Sequence, residues 1–76
     1  MNMKAIIEEC TYWLIEYKKY YKAYAVADGE GNHQIKNMAK EKYLSAWEKY
    51  IECADALTSN ELDQIDEFVN QIPTII

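Results

Sequence analysis

Seventy-six residues suffice for one small domain, and a domain of that size buries only about 60% of its unfolded surface, so its core is marginal. Thirteen carboxylates against eight lysines and no arginine leave a net charge of −5, which excludes general phosphate-backbone binding, a task that needs a positive field. No run approaches the ~18 apolar residues of a membrane span, and Glu8 and Glu9 break any apolar leader after Lys4. The chain is therefore expected to be cytoplasmic, with no membrane contact, and nucleic acid is not expected as a partner. The charge is unevenly placed: residues 1–47 carry seven lysines against six acids, whereas residues 48–76 carry one lysine against seven.

Residues 3–27 read as one long helix. Met3, Ile6, Ile7, Cys10, Trp13, Leu14, Tyr17, Tyr20, Tyr21 and Tyr24 recur at helical spacing and fall within about 80° of Tyr17 at ~100° per residue. Tyr12, Ile15 and Val26 point away from that stripe, so one neighbouring helix cannot cover the apolar surface. The Lys18-Lys19-Tyr20-Tyr21-Lys22 cluster resembles a single-strand stacking site in composition, but it reads as a solvated lysine flank beside core rings.

Residues 28–32 hold both glycines of the chain and form the expected turn, with Gly29 or Gly31 closing the first helix and Asn32 capping the second. Asp28, Glu30 and Asn32 occupy the first, third and fifth positions of a calcium loop. His33 stands where that loop needs glycine and Ala39 where it needs glutamate, so calcium is not expected.

Residues 33–57 read as a second helix, antiparallel to the first, with an apolar face of Ile35, Ala39, Tyr43, Ala46, Trp47, Tyr50, Cys53, Ala54 and Leu57, widened by Leu44 and Ile51. The hairpin places Trp13 level with Trp47, and both are expected to be core rings. Glu41, Glu48, Glu52 and Asp55 fall within about 40° of one another on the opposite face. This acidic stripe is the candidate partner surface.

Thr58 and Glu61 match a capping box for a third helix over 59–72, with Leu62, Ile65, Phe68, Val69 and Ile72 as its apolar face. Pro73 ends it, and 73–76 form an apolar tail. The expected fold is thus all-α, one domain over 1–76: a long antiparallel helical hairpin with a short third C-terminal helix, a small helical bundle.

Enzyme chemistry finds little support. The one histidine, His33, lies at the turn, far from Cys10 and Cys53, so no catalytic dyad, metal site or cofactor is expected. The hairpin places the two cysteines within about one turn of each other, where reduced buried thiols are the expectation.

What remains is a small acidic interaction protein, binding and inhibiting or regulating another protein with a basic surface. Small acidic proteins of this kind are often encoded by phages and other mobile elements, as blockers of a host enzyme or defence complex. The excess apolar surface at Tyr12, Ile15, Val26, Leu44 and Ile51 predicts self-association as a dimer. The alternative is an oligomeric helical protein that binds a nucleotide-type ligand, with rings stacking on a base and Lys18, Lys22 or Lys36 meeting phosphate.

Overall fold

The computed structural model describes residues 3–72, so the tail expected at 73–76 lies outside the described residues. Three helices follow in order, α1 (Met3–Glu30), α2 (His33–Ala54) and α3 (Ser59–Asn70), and no strand occurs among the described residues. α1 and α2 pack along one another as the expected hairpin, and α3 packs on α1. The extents, 43 × 23 × 16 Å, are those of a slab. Its long dimension matches α1, since 28 residues rise ~42 Å at 1.5 Å each.

The turn is tighter than the sequence suggests. Asn32 N–H donates to the Ala27 carbonyl at 2.9 Å and Gly31 N–H to the Asp28 carbonyl at 3.3 Å. This pair of bonds needs only one left-handed residue, and Gly31 supplies it at φ +73°. Gly29 and Glu30 therefore stay helical, and α1 runs to Glu30. The Asn32 side chain then accepts from Ile35 N–H at 3.2 Å and starts α2 at once. Two opposite effects follow. Gly31→Ala should destabilise by ~1 kcal/mol or more because a Cβ disfavours the left-handed region. Gly29→Ala, in a helix with nothing within 4 Å of the new Cβ, should stabilise by ~0.5–1 kcal/mol. Thermal melts of the two variants should move apart on either side of the wild type.

α2 ends at Ala54, three residues before the expected Leu57. Ala56 and Leu57 N–H groups make short-range bonds to the Cys53 and Ala54 carbonyls, which tightens the last turn. Thr58 is extended and opens the capping box: its N–H donates to Glu61 Oε1 at 2.9 Å, and Glu61 N–H donates back to Thr58 Oγ1 at 3.4 Å. α3 stops at Asn70 rather than residue 72, because Ile72 precedes Pro73 and a residue in that place is driven out of the helical region.

The core is small and lies toward the N-terminal half of α1. Cys10 and Leu14 of α1 meet Ile65 and Val69 of α3, all four buried, and Ile6, Ile7, Ile15, Tyr17, Tyr50, Cys53 and Leu57 pack against them. Lys18 marks where α3 ends, since its ammonium donates to Asn70 Oδ1 at 2.6 Å and lies 3.7 Å from Asp66. Past that level α2 is the one helix beside α1 among the described residues. There the seam is built of buried alanines, Ala27, Ala39 and Ala46, and of stacked rings.

The expected apolar faces are therefore only partly covered. Met3, Tyr21, Ile35, Trp47 and Phe68 are exposed, the last at 55%. The two indoles also separate. Trp47 stacks on Tyr17 with centroids 4.8 Å apart and on Tyr50 at 5.5 Å. Trp13 stands edge-on to Tyr12 at 4.8 Å, and no ring contact joins the indoles among the described residues. α1 runs on to Glu30, so the hairpin register brings Trp47 level with Tyr17, about one turn along α1 from Trp13, and it is Lys49 that reaches the Trp13 ring, at 5.2 Å.

Candidate interaction surfaces

The outer flank of α2 carries the acidic stripe. Glu41, Glu48, Glu52 and Asp55 are all exposed, and none forms an ion pair among the described residues. Helical spacing sets apolar side chains among them. Leu44 is three residues past Glu41 and four before Glu48; Ile51 is three past Glu48 and four before Asp55. With Trp47, these residues stand at i, i+3 and i+7 on one exposed strip, at 44%, 38% and 43% accessibility for Leu44, Trp47 and Ile51. α3 packs on α1 instead and leaves the strip open. An apolar strip with a charged rim has the composition of a protein interface, dry at the centre and polar at the edge.

The five residues expected to drive self-association do not form one patch. Leu44 and Ile51 belong to this acidic flank. Ile15 packs against the core that α3 closes. Tyr12 lines a groove on another face of the hairpin, and Val26 lines a second groove nearer the turn. The third helix thus covers one of the five.

The Tyr12 groove has a volume of about 250 Å³ and is walled by Trp13, Tyr20, Lys42 and Lys49. Here lysines lie over rings: Lys49 is 5.2 Å from the Trp13 centroid, and Lys19 and Lys42 are 5.1 and 6.0 Å from that of Tyr20. None of these three ammoniums has a carboxylate partner among the described residues. Two of the three lysines expected to meet phosphate are placed otherwise, and the third, Lys22, lines the groove of Val26. Lys18 holds α3 through Asp66 and Asn70. Lys36 pairs with Asp28 at 2.7 Å, and the bond holds the Asp28 carboxyl below, and the Lys36 ammonium above, their ordinary ranges. Sequence reasoning took Lys19, in the Lys18–Lys22 cluster, as a solvated flank and passed over Lys42 and Lys49. Their signal was the spacing of Lys42 and Lys49, seven apart and so on one face of α2.

On another side of the hairpin, Tyr43 stands among Tyr17, Tyr21 and Tyr24 at centroid distances of 6.0, 5.2 and 5.4 Å. Burial first, then the neighbouring phenols, push its hydroxyl above the usual tyrosine range. Among the described residues no three of histidine, cysteine, aspartate and glutamate converge to hold an ion, and no helix is long and apolar enough to cross a membrane. No protein-family model, curated protein or solved structure matches this chain.

Proposed function

We propose that the chain is a small non-enzymatic interaction protein, whose α2 flank occupies a surface on another protein and thereby inhibits or regulates it. The observation that carries this reading is the exposed strip Leu44, Trp47 and Ile51 beside Glu41, Glu48, Glu52 and Asp55, acids that form no ion pair among the described residues. The complementary surface is apolar at its centre and basic at its rim. Reversal of the four acids to lysine, scored for folding by circular dichroism and for partner binding, tests it. The fold should persist while binding falls, chiefly through slower association, and added salt should reproduce the loss. Undiminished binding by the folded variant would move the site elsewhere.

Charge also bears on whether a second copy is the partner. A two-fold dimer sets the same patch on both subunits face to face, so a dimer through Leu44 and Ile51 brings the acids of both copies together. Self-association through this flank is expected to be promoted by salt. Sedimentation velocity at micromolar concentration should show more dimer at high ionic strength than at low, and the opposite trend would mean that copies meet through another face.

The Tyr12 groove supports the second reading, a nucleotide-type ligand. Trp13 and Tyr20 offer ring faces, and Lys19, Lys42 and Lys49 offer charge that no carboxylate among the described residues pairs with. A nucleotide that raises the melting temperature of the wild type, but not of a Lys42→Glu, Lys49→Glu variant, would favour it over the flank.

A further inference from the structure

Cys10 and Cys53 are the only cysteines of the chain. One comes from the N-terminal half of α1 and the other from the last turn of α2, and both sit in the same core, free and within hydrogen-bonding reach of each other. Their surroundings differ. Cys10 is fully buried, at 0% exposure, among Leu14, Ile65 and Val69. Cys53 is half-buried and lines an open groove of about 210 Å³ with Ile6, Glu9, Glu52 and Ala56. A reagent in solution reaches Cys53 first, and Cys10 lies in the buried cluster that Cys53 packs against.

We propose that Cys53 is a thiol-modification site with Cys10 as its resolving partner, the pair closing to an intramolecular disulfide at the expense of a small disulfide such as oxidised glutathione. The Cys53 thiolate attacks one sulfur of the glutathione disulfide, which forms a mixed disulfide and releases one glutathione thiolate to take up a proton. Cys10 then gives up its proton and displaces the second glutathione. Two protein thiols become one disulfide, two electrons pass to glutathione, and two glutathione thiols leave.

The electrostatics fix the order of attack and the pace. Burial pushes the Cys10 thiol up to about 12, with the neighbouring Cys53 adding to the shift. Burial also raises Cys53, helped by Glu9, but the hydrogen bond with Cys10 acts the other way and favours the Cys53 thiolate. Cys53 therefore ionises first and attacks, and both steps quicken as pH rises. The product ties the end of α2 to α1 across a loop of roughly 40 residues, a closure long enough to raise the melting temperature by roughly 10 °C or more.

The native full chain is incubated with oxidised glutathione at about pH 8.5, near the ordinary thiol range, then alkylated and weighed intact. The expected product has lost two hydrogens, takes up no alkylating reagent, melts higher, and forms faster as pH is raised. Cys10→Ser should stop at one glutathione on Cys53, and Cys53→Ala should leave Cys10 unmodified. Circular dichroism reports whether each variant is folded. The proposal is overturned if the wild type keeps glutathione on Cys53 without closing. It is equally overturned if both thiols stay alkylatable while urea-unfolded chain crosslinks under the same oxidant.

Discussion

Ile65→Ala should lower the stability of this protein by ~2–5 kcal/mol, one of the largest losses available to a single substitution in it. Ile65 is buried at 3% exposure against Cys10, Leu14 and Val69, the compact core that forms where α3 meets α1. The removed side chain leaves a cavity that long helices cannot collapse to fill. A chain of 76 residues has a total stability on the order of 4–11 kcal/mol, so the loss is a large share of the whole. At ~4–8 °C per kcal/mol the melting temperature should fall by at least roughly 10 °C. Phe68→Ala is the comparison, because Phe68 belongs to the same expected apolar face yet points to solvent. It should cost less than ~1 kcal/mol. Equal losses at the two positions would mean that α3 is rotated about its axis from the orientation described.

The second large effect is on binding rather than stability. Leu44→Ala with Ile51→Ala should weaken the partner complex by ~2 kcal/mol or more, about a thirtyfold rise in Kd, if the two side chains anchor the centre of the interface. Their exposure means that the free protein loses little, within ~0.5 kcal/mol per site. The kinetic signature differs from that of the acids. Loss of apolar anchors should speed dissociation and respond little to salt, whereas reversal of the acidic rim should slow association and respond strongly. Trp47 is a less clean probe, because it also stacks on Tyr17 and Tyr50 within the fold. An unchanged dissociation rate in the double variant would mean that Leu44 and Ile51 do not anchor the interface.

Much of the architecture is legible in the sequence because local rules decide it. The capping box at Thr58 and Glu61, the cap at Asn32 and the ten-position periodicity of α1 each act within a few residues. What periodicity does not settle is which part of a wide apolar stripe the neighbours cover. α1 has apolar side chains over more than one face, and α3, at 12 residues, is less than half as long as α1 at 28. Hence Ile15, expected to face away, packs against the core, while Tyr21, expected within it, is exposed. Trp13 and Trp47 show a related limit: the tight turn shifts the register, so Trp47 meets Tyr17 rather than Trp13, and the two indoles join separate ring clusters. The acidic stripe is plain from spacing alone. That Leu44 and Ile51 belong with it emerges only once α3 is seen to pack on α1 and leave α2's outer flank open.

The most direct test of the α2 flank as the binding surface compares three immobilised forms of the protein as bait in its native host extract. These are the wild type, the flank variant with Glu41, Glu48, Glu52 and Asp55 reversed to lysine, and a groove variant with Lys19, Lys42 and Lys49 reversed to glutamate. Mass spectrometry identifies what each retains, after circular dichroism has established that all three are folded. The flank reading predicts a partner held by the wild type and by the groove variant, lost from the flank variant, and released from the wild type by salt. A partner that stays on the flank variant and is lost from the groove variant would contradict it.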